Sequence, residues 1–243
     1  MKILSIGNSF SQDAQRYLHR LAKKEGVELK TVNLFIGGCP LRKHYLNMLD
    51  DNVAYSFQFN GESTGIQVSL RQLLVSDEWD VITLQQASGL SWNYESYQPY
   101  LSELVKYVRK YCPHTKIYIH ETWAYENGSE RLEKLGYHSS REMYEDIKKS
   151  YKKAIEEIQA DGLIPSGRAM LRAGETGIEK VHRDTFHASL GAGRYLLALT
   201  WYKTLTGNEI AANDFDELDE EITEEERAIV INAAEWAVKS VEE

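Results

Sequence analysis

Residue types that together make a nucleophilic hydrolase sit near opposite ends of this chain. At the start, MKILSIGNSFSQD runs a short apolar stretch into a polar turn that presents Ser9. Far downstream, VHRDTFHAS sets Asp184 three residues ahead of His187. A serine hydroxyl is a weak nucleophile until an imidazole takes its proton, and the imidazole needs a carboxylate to fix its tautomer and steady the cation. Asp184 and His187 can meet that second need within one turn. The oxyanion that develops in acyl transfer needs preorganised N–H donors. The Ser9 amide, a backbone N–H made approachable by Gly37 or Gly38 in IGGCP, and a side-chain amide from Gln85 or Gln86 in TLQQAS are the candidates. Each signal also has a plainer reading. Ser9 can cap a helix, Asp184 and His187 can satisfy helix N–H groups, and the glycines can make a tight turn before a helix opened by Pro40. Their joint occurrence in this chain order favours the chemical reading, with His182 as a competitor to His187 for the base.

Elements that would bring them together are visible in the pattern. Apolar segments KILSI, VELKTVNLF, WDVITL, KIYIH and GLI alternate with amphipathic stretches of helical period, which implies βαβ units. The expected fold is α/β, a flavodoxin-like doubly wound parallel sheet of five strands flanked by helices, in a single domain over residues 1–243. In DAQRYLHRLAKKEG, the residues Ala14, Tyr17, Leu18, Leu21 and Ala22 predict one helix stopped by Gly26. REMYEDIKKSYKKAIEEIQADG predicts another, with Met143, Ile147, Tyr151, Ala154 and Ile158 inward and Gly162 as its stop. ASLGAGRYLLALTWYKTLTG is apolar on more than one face and predicts a deeply packed helix, with its Arg194 paired to a carboxylate or capping a loop. The last helix opens on a Thr223/Glu226 capping box and turns Ile229, Ala233, Trp236 and Ala237 inward. YSFQFNGESTGIQV interrupts the alternation as a small hairpin or irregular excursion. In such sheets ligands bind beyond the carboxyl ends of the strands, and Ser9, Gly37, Gly38, Gln85, Gln86, Asp184 and His187 all fall at that edge. Trp92, Tyr94, Tyr97, Tyr100, Trp123 and Tyr125 fall there too. Trp92 and Trp123 are the stronger candidates for a wall that stacks on substrate, while the polar AYENGSERLEKLGYHSS is a candidate lid.

The order of GNS, GG, a side-chain amide after the third strand, and DxxH near the end resembles the SGNH (GDSL-like) hydrolase superfamily. IGNSFSQD, WDVITLQQAS, HETWAY and RDTFHASLGAGRYLLALTWYKTLTG resemble more narrowly a branch related to carbohydrate acetylesterases, and the likeness covers essentially the whole chain. It implies the SGNH hydrolase fold, Ser9 as nucleophile, His187 as base and Asp184 as its orienting acid. It further implies Gly38 or Gly37, with Gln85, as oxyanion donors beside the Ser9 amide. Two departures stand out. Asn8 replaces the acid of the usual GDS, where it can still hydrogen-bond and touch substrate. The usual GxND asparagine is missing, and Gln85 or its neighbour Gln86 takes its place.

Composition narrows the function. The 243 residues carry a net charge of −9 with no basic stripe, which argues against nucleic acid as a partner. No run reaches the roughly 18 apolar residues of a membrane span. The segment before Gly7 is too short for a signal core, so the chain as it stands reads as cytoplasmic, with a secreted or periplasmic place open if a leader has been removed. Cys39 and Cys112 read as buried thiols, and His114, His120 and Glu121 lack zinc-site spacing, so neither metal nor cofactor is expected. The expected activity is a serine esterase that removes a small acyl group, acetyl in the first place, from carbohydrate through an acyl-enzyme. The alternatives are a lipase or thioesterase on the same triad and a non-catalytic glycan-binding protein of the same fold. Nucleotide binding lacks both GxGxxG and GxxxxGK[ST].

Overall fold

The apolar run after Met1 forms β1 (Lys2–Gly7), the central strand of a seven-stranded sheet in this computed structural model, which describes residues 1–241. Strand β2 (Lys30–Phe35) pairs parallel to it. Outside β2, β3 (Tyr55–Phe59) and β4 (Glu62–Val68) form an antiparallel hairpin. On the other side of β1 come β5 (Val81–Leu84), β6 (Lys116–His120) and β7 (Gly162–Ile164), all parallel. The five parallel strands are those expected, in the flavodoxin-like order, and the hairpin extends the sheet to seven. Asn60 and Gly61 both have positive φ, the two-residue turn that an Asn-Gly pair favours between antiparallel strands.

Helices cover both faces. After β1 come α1 (Ser9–Gln15) and α2 (Leu18–Lys24), and after β2 comes α3 (Leu41–Leu49). The short α4 (Leu70–Leu74) precedes β5, and α5 (Tyr100–Tyr111) follows it. After β6 lie α6 (Glu130–Lys134) and α7 (Ser140–Ile158); after β7, α8 (Ser166–Glu175), α9 (Ala192–Thr206) and α10 (Glu224–Lys239). Because side chains alternate along a strand, β1 sends Ile3 to a core shared with α1, α2, α9 and α10, and Leu4 and Ile6 to one shared with α3, α5 and α7. Helix α9 is buried along almost its whole length, as its uniformly apolar sequence requires.

Three local expectations are corrected. The stripe from Ala14 to Ala22 is fully buried, but it belongs to two helices: the hairpin turn abuts the Gln15 and Arg16 carbonyls, so closely that a Cβ at Gly61 would lie 2.6 Å from the Arg16 oxygen. Helix α7 ends at Gln159 in a left-handed conformation, while Gly162 is already in β7, where the Tyr118 ring leaves no space for a side chain. Trp236 lies on the outer face of α10, where the Arg172 guanidinium covers its ring.

Burial lowers the pKa of three histidines, His44 and His120 to about 3 and His182 to about 4, the last partly offset by its hydrogen bond to the Ala124 carbonyl. Each binds a proton near pH 6.5 when unfolded that it refuses when folded. With folded values depressed, the stability they carry is complete above about pH 6.5 and is lost as pH falls toward those lower values. Urea unfolding is expected to show a loss of about 1.4 kcal/mol per pH unit per histidine below pH 6.5, with His44→Gln removing one such increment. Stability level between pH 7 and pH 4.5 would contradict this.

Candidate active site

Strand β1 ends at Gly7, where an added Cβ would fall 1.9 Å from the Ser11 hydroxyl, so only glycine lets the chain turn there. Asn8 then caps α1, its Oδ1 accepting from the Phe10 N–H at 3.0 Å, and Ser9 becomes the first residue of the helix. The His187 Nε2 lies 2.8 Å from the Ser9 Oγ, and the His187 Nδ1 lies 2.7 Å from an Asp184 oxygen. A carboxylate only accepts, so Nδ1 carries the proton, and Nε2 is free to accept one from the serine. Burial pushes the Asp184 carboxyl up, but the hydrogen bonds it receives from the His187 side chain and backbone outweigh that and hold it below its ordinary value. The other Asp184 oxygen accepts the His187 N–H at 2.8 Å, and Thr185 between them sits at φ +73°, a strained position for a β-branched residue.

A buried ion cluster fixes this turn against α1. Asp13, fully buried and one helical turn beyond Ser9, receives the Arg183 guanidinium at 2.9 and 3.0 Å and the Arg194 Nε at 2.9 Å. Arg194 also pairs with Asp219 at 2.6 Å, which accounts for the cation on the deep helix. His182 donates to the Ala124 carbonyl at 3.1 Å, and His187, not His182, is the imidazole that meets Ser9.

Ser9 and His187 open onto a cavity of about 650 Å³ that is also lined by Asn8, Gly37, Gly38, Leu90, Tyr125, Arg131 and Phe186. Gly38 takes a positive φ, and among the described residues the amides of Ser9, Gly37 and Gly38 have no protein acceptor. They are therefore free to receive a developing negative charge.

Neither glutamine joins them. The buried Gln85 donates from Nε2 to the Asn8 Oδ1 at 2.8 Å, and its Oε1 lies 2.6 Å from the His120 Nδ1. The Phe10 N–H fixes Oδ1 as the Asn8 acceptor, so every later role follows: Gln85 donates to Asn8, His120 Nδ1–H donates to Gln85, and Ser166, 3.0 Å away, donates to His120 Nε2. Gln86 is spent on the Leu41 and Ala87 amides and on Ser96. The Asn8 Nδ2 donates to the Cys39 carbonyl at 3.2 Å, tying the Gly37–Gly38 loop to the serine turn.

The aromatic expectation is also corrected. Trp123 is fully buried, stacked beneath Phe10 at 3.8 Å, with its indole N–H donated to the Phe186 carbonyl. Trp92 lies outside the cavity, its N–H on the Gly89 carbonyl and its ring edge-on to Tyr137. Tyr125 and Phe186 face the cavity instead, with the Phe186 ring 3.8 Å from that of His187. Phe186 had a usable signal, since a residue held between the acid and the base of DTFH must lie beside them.

Over residues 2–237 the chain matches the family described as Domain of unknown function (DUF4886). A DUF4886 family protein from Bacteroides uniformis is 34% identical, with 100% of this chain and 96% of that one covered and a TM-score of 0.92. A protein from Slackia heliotrinireducens, provisionally described as an SGNH hydrolase, is 25% identical over 84% of this chain and 98% of its own, with a TM-score of 0.62. The esterase EstA from Pseudoalteromonas sp., solved inhibited by monoethylphosphonate, shares the fold at 16% identity, a TM-score of 0.54, and coverage of 85% and 97%. No curated protein matches. The sheet and its flanking helices are thus those of the SGNH hydrolase fold.

Gln85→Leu leaves the buried His120 Nδ1–H without its acceptor and removes one bond from Asn8. A loss of roughly 1–3 kcal/mol in urea unfolding is expected. A variant as stable as the parent would show that this network carries no weight.

Proposed function

The chain belongs to the DUF4886 family, and we propose that it is a serine esterase that removes a small acyl group, acetyl in the first place, from a carbohydrate. The observation that carries this reading is the unbroken hydrogen-bonded line from the Ser9 Oγ through His187 to Asp184 at the wall of an open cavity. In the proposed reaction the Ser9 Oγ attacks the ester carbonyl as its proton passes to the His187 Nε2, and Asp184 steadies the imidazolium. The amides of Ser9 and Gly38, with Gly37 beside them, receive the oxyanion. Collapse breaks the bond to the sugar oxygen, which leaves with the proton from His187, and the acyl group stays on Ser9. His187 then deprotonates a water that attacks the acyl-serine, releasing the acid and restoring the hydroxyl. No cofactor enters. Tyr125 and Phe186 line the cavity in place of Trp92 and Trp123, and a bound sugar would meet them there.

Hydrolysis of p-nitrophenyl acetate, butyrate and octanoate tests this. The wild type is expected to favour acetate, with Ser9→Ala and His187→Ala each lowering kcat/KM by at least about 10³-fold. A preference for octanoate abolished by the same substitutions would move the assignment to the lipase or thioesterase alternative. Equal inertness of wild type and Ser9→Ala on all three would return the protein to glycan binding without turnover.

A further inference from the structure

Among the described residues the cavity wall holds a single guanidinium, that of Arg131, with no lysine and no carboxylate. It sits on α6, inside the segment between Trp123 and α7, on a turn anchored by the buried Leu132 and capped by the Ser129 hydroxyl. The base of that segment is tied to the catalytic turn, since the Glu126 N–H donates to the Thr185 carbonyl at 2.8 Å. The guanidinium lies over the Phe186 ring, 4.0 Å from its centroid, and Phe186 in turn lies against His187. One aromatic ring therefore separates the charge from the base.

Two features distinguish this arginine from an ordinary surface one. Its neighbour in sequence, Glu130, is paired with Lys134 at 2.9 Å, and no described carboxylate lies within 4 Å of the Arg131 guanidinium. Stacking also occupies only its face. The in-plane N–H groups remain available, and they form a fork that matches the two oxygens of a carboxylate. The chain as a whole carries −9 and repels anions at long range, so a cation fixed at this cavity reverses the local preference.

We propose that Arg131 receives a carboxylate on the substrate, so that the esters taken by this site belong to the anionic class: acyl esters of acidic sugars or of other hydroxy acids. This rests on the esterase reading of Ser9 and His187. Phe186 holds the guanidinium in place and Arg131 receives the charged edge of the substrate, which brings the ester beside Ser9.

Two aryl acetates of equal size separate charge from shape: 4-acetoxybenzoate, which is anionic, and 4-acetoxybenzamide, which is neutral. At low ionic strength the wild type is expected to favour the benzoate in kcat/KM by about tenfold. Arg131→Gln should bring the ratio of the two to about one, Arg131→Lys should retain part of it, and 0.5 M salt should shrink it in the wild type. An arginine that merely props Phe186 would, on replacement by Gln, lower both rates and leave the ratio unchanged, which would overturn the proposal. If the wild type hydrolyses neither ester, the esterase reading fails on its own. Calorimetric binding of 4-hydroxybenzoate against 4-hydroxybenzamide then decides this proposal: tighter binding of the anion that is lost in Arg131→Gln sustains it, and equal or absent binding overturns it.

Discussion

The buried carboxylate of Asp13 is the constraint on which the site's geometry depends. Ser9 and Asp13 are four residues apart on α1, so they lie one turn apart on the same face. Arg183 and Asp184 are adjacent in the chain. The Asp13–Arg183 ion pair thus fixes the spacing between the two halves of the site directly, across 170 residues. A charge with no exposure to solvent is expensive unless it is paired, and two guanidiniums meet this one. Removing one partner of such a pair typically costs about 3–5 kcal/mol, because the survivor stays buried and uncompensated. The strained backbone at Thr185 is held by the same contacts, together with the Glu126 amide on its carbonyl.

A second polar line runs behind the serine and solves a different problem. Asn8 must cap α1, hold the Gly37–Gly38 loop and accept from Gln85, which takes both ends of a neutral amide. An acid at that position offers no donor for the Cys39 carbonyl. Gln85 and the neutral His120 complete the line down to Ser166 at the start of α8. The side chain at the end of the third parallel strand therefore acts here through Asn8, by shaping the serine turn, while the amides of Ser9, Gly37 and Gly38, residues that line the cavity, have no protein acceptor among the described residues.

Much of this was legible in the sequence because it depends on periodicity and chain order. The five parallel strands follow from apolar runs bounded by turns, and the sheet's carboxyl edge is where Ser9, Gly38, Asp184 and His187 meet. What was hidden depends on contacts between distant segments. Nothing in DAQRYLHRLAKKEG announces that a hairpin turn will press on the Arg16 carbonyl and divide the helix. The direction of Gln85 is set by Asn8 and His120, 77 and 35 residues away in the chain. Trp123 follows its strand as a cavity residue would, yet a stack on Phe10 draws it inward, and the wall passes to Tyr125, Phe186 and Arg131.

The most direct measurement is mass-spectrometric mapping after exposure to an alkyl fluorophosphonate, which reacts only where a serine is activated as a nucleophile, forming an O–P bond as fluoride leaves. If His187 and Asp184 activate Ser9, a single adduct forms on the peptide that contains Ser9, it is absent from Ser9→Ala, and its formation slows sharply in His187→Ala. An unmodified Ser9, or labelling that proceeds equally without His187, would contradict the triad.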